Sequence, residues 1–151
     1  MSTEAEASPT FTIGQVSMLT GLSTHTLRFY EHEGLLLAPV RRDAANRRVY
    51  TEKDVEWLQV GTKLRSSGMP LPEIRRYVQL VGAGAGNEAE RFEILRRHEA
   101  KVQQEVADLR DALDIIHTKV ELYAQHLSAG TTDQLWRSGP ECDRVTTSSR
   151  V

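Results

Sequence analysis

Residues 11–34 read FTIGQVSMLTGLSTHTLRFYEHEG, and this stretch decides the fold. Thr12 followed three residues later by Gln15 is a capping-box pattern, in which a hydroxyl and a side-chain amide satisfy free N–H groups of a first helical turn. Ile13, Val16, Met18 and Leu19 then recur at helical spacing until Gly21, which suits the left-handed backbone of a helix stop. Ser23 can cap a second helix from Thr24 to Glu33, with Leu27 and the ring of Phe29 or Tyr30 turned inward and Gly34 ending it. Only Gly21 and Leu22 separate the two helices. So tight a connection predicts a helix-turn-helix, whose second helix is available to a groove of DNA.

Just downstream, residues 35–50 read LLLAPVRRDAANRRVY. Two short β-prone runs, Leu35 to Leu37 and Arg48 to Tyr50, flank a polar segment with Pro39, Asp43 and Asn46, which predicts a small hairpin or wing. Arg41, Arg42, Arg47 and Arg48 would then present guanidinium groups from both sides of a turn to one polyanionic ridge. In the second helix, Thr24, His25, Arg28 and Tyr30 have lengths suited to base edges and phosphates. Arginine pairs bidentately with guanine or grips a phosphate oxygen, and threonine and tyrosine hydroxyls bond phosphates. A solvated charged face is the plainer alternative, and the adjoining wing favours the nucleic-acid reading.

Thr51 to Asp54 restarts a helix with a cap and an acidic first turn, carrying Val55, Leu58 and Leu64 inward before Gly68. Met69-Pro-Leu-Pro-Glu73 opens another, since proline is tolerated where the backbone N–H has no helical partner; Ile74, Tyr77, Val78 and Val81 form its apolar stripe. Residues 11–81 thus read as a winged DNA-binding head behind a flexible arm over residues 1–10. A Gly/Ala linker covers 82–86, with Asn87 and Glu90 as the next N-cap pair. From 87 to 127, steps of three and four give Phe92, Leu95, Glu99, Val102, Val106, Leu109, Leu113, Ile116, Val120, Tyr123 and Leu127. That is a coiled-coil seam broken only at Glu99. A helix of about 60 Å, at 1.5 Å per residue, outruns anything that could cover it, so a second copy of the chain is the expected partner. Residues 128–151 read as a mobile tail whose one strong apolar pair is Leu135-Trp136.

Composition agrees with an elongated, mainly helical single chain. At 151 residues, a large multi-layer enzyme is not expected. The net charge of −2 speaks against a polyanion partner only until it is divided along the chain. Between Ser23 and Tyr50, five arginines face Glu31, Glu33 and Asp43, a surplus of +2; between Val81 and Leu127, six basic residues face nine acidic ones, a balance of −3. The front is basic and the back acidic. Cys142 alone makes neither a disulfide nor a thiolate metal site. His98, His117 and His126 lack the i, i+4 spacing of a helical metal pair, and flank positions of a coil are expected for them. No catalytic constellation, phosphate loop, membrane span or leader peptide is legible, so the expectation is a cytoplasmic, nucleoid-associated protein with no cofactor and no enzymatic activity.

Phe11-Thr-Ile-Gly-Gln-Val16, Ser23-Thr-His-Thr-Leu-Arg-Phe-Tyr-Glu31, Gly34-Leu-Leu36, Arg48-Val-Tyr50 and Leu64-Arg-Ser-Ser-Gly-Met-Pro-Leu-Pro-Glu-Ile74 together resemble the MerR family of bacterial transcriptional regulators. The resemblance spans Phe11 to Leu127. It implies a winged helix-turn-helix head and an antiparallel coiled-coil homodimer formed through the long helix. Thr24, His25, Arg28 and Tyr30 would lie on the recognition helix, and Arg42, Arg47 and Arg48 in the wing. Family members bind a palindrome within an overlong promoter spacer, then kink and untwist it so that RNA polymerase engages both promoter elements; such deformation carries a sequence-dependent cost. The cysteines of metal-sensing members have no counterparts here. The segment Ala112 to Tyr123 is most similar to the aldehyde-responsive branch, yet Lys63 stands where that branch has its cysteine. An unidentified small-molecule effector would have to use the coil, its junction with the head, or the tail around Trp136. The rival reading is a coiled-coil adaptor whose head binds a protein instead of DNA.

Overall fold

A computed structural model describes residues 8–136. The elements in chain order are β1 (Thr10–Phe11), α1 (Ile13–Thr20), α2 (Thr24–His32), β2 (Arg41–Arg42), β3 (Arg48–Thr51), α3 (Glu52–Ser66), α4 (Leu71–Gly82) and α5 (Glu88–Ala129). A 3-10 turn follows at Thr132–Trp136. The fold is mainly helical, with a long C-terminal helix that fits a coiled coil, and it divides into two units, one ending at Val102 and the other beginning at Gln103.

In the first unit, local chemistry sets the helix ends. Thr12 Oγ1 accepts from Gln15 N at 3.2 Å while Gln15 Oε1 accepts from Thr12 N at 2.9 Å, so the capping box is complete. Gly21 closes α1 at φ 73°, and Ser23 Oγ accepts from Thr26 N at 3.1 Å to start α2. Thr51 and Asp54 form a second reciprocal box at α3. Pro70 and Pro72 flank the start of α4, as expected where N–H groups lack partners.

The wing differs from the expected hairpin. Arg41–Arg42, not Leu35–Leu37, pairs with β3, and β1 adds to the other edge, giving the antiparallel order β1-β3-β2. Leu35 and Leu36 are buried in a loop where the Leu35 carbonyl accepts from Trp57 Nε1 at 2.7 Å. Leu35 and Leu36 have no polar position between them, so burying both in the core is worth more than laying them on a solvated ribbon, and Leu37 stays exposed. Strand β1 also takes up Thr10, the last residue of the stretch read as an arm.

Val16, Leu27, Tyr50, Leu58 and Ile74 form the centre of one core that joins α1, α2, β3, α3 and α4. Trp57 joins them, stacked on Tyr77 at 5.8 Å between ring centroids. Met18, expected inward, is 87% exposed, and Leu19 is exposed too; α1 buries only the Val16 stripe. Leu80 is buried in place of Val81.

The start of α5 also differs from the sequence reading. Asn87 Nδ2 donates to the Leu80 carbonyl at 2.8 Å, and Glu90 pairs with Arg76, so the two do not form the expected cap. Ile94 and His98, four residues apart and off the expected seam, are the buried residues of α5. His98, expected on an exposed flank, is only 8% exposed and bonds Ser67.

In the second unit, α5 continues to Ala129, and Gly130 (φ 68°) ends it with Thr131 N donating to the His126 carbonyl. Leu109, Leu113, Ile116, Val120 and Leu127 of the seam are exposed on the single chain, as is Ile115 beside them, while Tyr123 is half-buried. His117 is exposed and lies 3.5 Å from Glu121. Among the described residues no helix is long and apolar enough to cross a membrane. Cys142 and residues 137–151 of the expected tail lie outside the described residues.

Candidate nucleic-acid interface

Leu27 and Tyr30 anchor α2 to the core, and this fixes which side faces out. His25, Arg28 and His32 are exposed, and Thr24 is half-buried. At 100° per residue, His25 and Arg28 stand about 60° apart on one outward face. Arg28 has no hydrogen-bond or ion-pair partner among the described residues, so its guanidinium stands ready for an external acceptor. Tyr30 is 5% exposed. Its ring belongs to the core, a consequence of the i, i+3 spacing from Leu27.

The wing carries its arginines in three different states. Arg41 is exposed with no polar partner among the described residues. Arg42 and Arg47 are exposed but oriented by the turn: Arg42 Nη1 donates to the Asn46 carbonyl at 2.9 Å, and Arg47 Nε donates to Asp43 Oδ2 at 3.0 Å. Asp43 organises that turn. Its Oδ1 accepts from the backbone N–H groups of Ala45 and Arg47, and the Arg47 amide foremost holds its carboxyl below the usual aspartate range. Asn46 sits at φ 60°, a left-handed position that asparagine tolerates better than most residues. Arg48 is spent internally. Its Nε donates to Glu31 Oε2 at 2.6 Å with both side chains about three-quarters covered, tying β3 to α2.

Two further arginines position α2 from behind. Arg75 Nε and Nη2 donate to the carbonyl and carboxylate of Glu33, at 2.9 and 2.7 Å, pinning the end of α2 to α4. Arg65, at the end of α3, lies with its guanidinium carbon 4.9 Å from the Phe29 ring centroid and 5.8 Å from that of Tyr30. The sequence reading passed over Arg65. Its signal was its place seven residues, or about two turns, beyond Leu58 on the stripe expected to face inward.

Tyr50 sits fully buried beneath this arrangement, its hydroxyl without a partner among the described residues. Burial pushes its pKa up, and the nearby Glu31 carboxylate adds to the push. The site offers exposed guanidinium and imidazole groups and the half-buried Thr24 hydroxyl on a helix and a braced ribbon, a donor set that suits phosphates and base edges.

The comparisons with known proteins agree with this geometry. The profile of the MerR HTH family regulatory protein matches residues 11–80, and that of the MerR DNA-binding region matches residues 55–118. An uncharacterized HTH-type transcriptional regulator of Haemophilus influenzae is 32% identical over 122 residues, covering 81% of this chain and 90% of that protein. Among solved structures, HiNmlR, a MerR family regulator lacking the sensor domain and bound to promoter DNA, superposes with a TM-score of 0.77 at 31% identity, over 84% of this chain and 96% of its own. A MerR family regulator from Bacillus thuringiensis gives 0.69 at 26% identity, over 76% of this chain and all of its own. The adaptor reading is not favoured by these likenesses. The chain is a member of the MerR family of DNA-binding transcriptional regulators.

Proposed function

We propose that this chain binds a palindromic promoter operator as a homodimer and distorts it, so that RNA polymerase engages a promoter it otherwise reads poorly. The observation that carries the reading is the Glu31–Arg48 bridge, which holds the arginine wing against the recognition helix that displays Arg28. Thr24, His25 and Arg28 address one groove, and Arg41, Arg42 and Arg47 grip the flanking phosphates. Tyr30 and Arg48 act from within the head by fixing those groups. The DNA complex of HiNmlR supports the partner assigned here.

Two heads are joined through α5, with Phe92, Leu95, Val102, Val106, Leu109, Leu113, Ile116, Val120, Tyr123 and Leu127 packing antiparallel against the same residues of a second copy. Each aliphatic side chain so buried contributes about 1.5 to 3 kcal/mol, which favours pairing over leaving the seam in water. Residues 11–81 then serve as the DNA-binding head and 87–127 as the dimerisation segment of a cytoplasmic, nucleoid-associated regulator without enzymatic activity.

Operator selection from genomic fragments, followed by a salt titration, tests the reading. Each phosphate contact contributes about −0.9 to the slope of log K against log salt, and Arg28→Ala is expected to weaken operator binding by about 1 to 3 kcal/mol. Affinity that is indifferent to salt, or equal for all sequences, overturns it.

A further inference from the structure

Glu99 is the one charged residue on the seam of α5 between Phe92 and Leu127. It is exposed, and it has no hydrogen-bond or ion-pair partner among the described residues. Farther along the same helix, Val120, Tyr123, Ala124 and Leu127 line an apolar groove of about 470 Å³, to which Lys119 adds a cation. Spaced three, one and three residues apart, those four outline the kind of hole that takes one side chain of a facing helix. Ala124 leaves it room, and Tyr123 places a hydroxyl on its wall.

The seam has two flanks, one running through Glu99, Val106 and Leu113 and the other through Leu109, Ile116 and Tyr123. An antiparallel pair stacks them in layers, each joining a residue of one flank to a residue of the other, because reversing one helix exchanges the order of the steps. Two registers cover nearly the whole seam. One sets Leu113 on the partner's Leu109 and Glu99 on the partner's Tyr123; the other, slipped by one heptad, sets Val106 on the partner's Leu109 and Glu99 on the partner's Ile116. Apolar burial is similar in both and does not choose between them. The carboxylate does, since against isoleucine it loses water and gains no donor, whereas against tyrosine it accepts from the phenol.

We infer that Glu99 is a register lock for the α5 pair, seated in the partner's groove with its carboxylate accepting from the hydroxyl of the partner's Tyr123. This rests on the homodimer reading above. The occupant of the groove is the first half of a second copy's α5, and the charge complementarity of Glu99 with the Tyr123 hydroxyl and the Lys119 amine selects it. A polar group on such a seam gives up stability for a single alignment. Slippage by one heptad would move the two α5 starts about 10 Å relative to each other, a distance that matters to two heads reading spaced half-sites.

The test uses the full chain carrying Cys142→Ser and a nitroxide on Ala100→Cys, an exposed position off the seam. With about 20 Å across two helices and about 1.5 Å per residue along them, pulsed spin resonance is expected to give about 40 Å between labels, against about 30 Å for the slipped register. Glu99→Leu is expected to add the shorter distance to the longer. In unlabelled protein, Tyr123→Phe is expected to weaken dimerisation at least about 10-fold by sedimentation equilibrium, and Glu99→Leu/Tyr123→Phe to recover the wild-type affinity, because neither partner is then left unpaired. A labelled dimer that shows the shorter distance, or a Tyr123→Phe variant that dimerises as the wild type does, overturns the lock and leaves the homodimer standing. A wild type that stays monomeric at micromolar concentration overturns both.

Discussion

Ser67 Oγ lies 2.7 Å from Nε2 of His98, joining the turn after α3 to a buried imidazole on α5. The same hydroxyl is 3.0 Å from the Leu64 carbonyl, its acceptor in the last turn of α3. With the hydroxyl proton on that carbonyl, an Nε2–H imidazole completes the network. Ser67→Ala leaves the imidazole without its partner and is expected to cost about 1 to 3 kcal/mol. Urea unfolding measures this as a lower midpoint at an unchanged slope. Coupling with His98→Leu in a double-mutant cycle is expected to exceed about 0.5 kcal/mol, and strict additivity would remove the bridge from any account of stability.

The Glu31–Arg48 pair joins wing and recognition helix through a charge-assisted bond. Glu31→Gln removes the charge while keeping the shape, and is expected to destabilise the head by about 1 to 2 kcal/mol. Arg48 gains no DNA contact in wild type on this reading. Arg48→Ala is therefore expected to change stability while leaving the salt slope of binding to random duplex intact; a drop of about 0.9 would place Arg48 on a phosphate instead.

Tyr50 titrates upward because it is buried, with Glu31 reinforcing the shift. An unfolded tyrosine loses its proton near pH 10 or so, while the folded one retains it. The folded state then binds more protons above that point, so the stabilisation is complete below about pH 10 and declines as pH rises. Tyr50→Phe removes an unpartnered hydroxyl and this sensitivity together. Thermal scans are expected to show a flatter alkaline limb for Tyr50→Phe, with stability at neutral pH equal to or above wild type by up to about 1 kcal/mol. Parallel limbs would remove Tyr50 as the cause.

Leu113 and Ile116 are both exposed on the single chain and fall on consecutive seam steps. Leu113→Glu/Ile116→Glu places two carboxylates in the proposed dimer core and is expected to yield monomers at micromolar concentration by sedimentation equilibrium. Operator affinity is expected to fall by at least about 100-fold as the second head loses its tether. A variant that sediments as the wild type does would locate the interface elsewhere.

How much of this was legible in the sequence depends on how far apart the partners lie in the chain. The caps at Thr12/Gln15 and Thr51/Asp54 involve residues three apart, so pattern alone places the starts of α1 and α3. The outward Arg28 follows from Leu27 for the same reason. Strand pairing does not: Phe11 meets Tyr50 across almost forty residues, and nothing local distinguishes Arg41–Arg42 from Leu35–Leu37 as the partner of β3. The states of the arginines were equally hidden. A count of charges treats Arg28, Arg48 and Arg65 alike, and only the tertiary neighbours Glu31 and Phe29 separate an unpartnered outward cation, a brace and a stacked cation. His98 reads as a flank residue because its burial depends on Ser67, thirty-one residues away.

Strand β3 is shared property: it hydrogen-bonds the ribbon of the wing on one edge and Thr10–Phe11 on the other. The root of the arginine-bearing ribbon is thereby moored to the segment just ahead of α1. Trimming that segment, or fusing a bulky tag against it, is expected to perturb the ribbon at a distance, so amino-terminal engineering belongs on the same footing as wing mutagenesis whenever binding is compared.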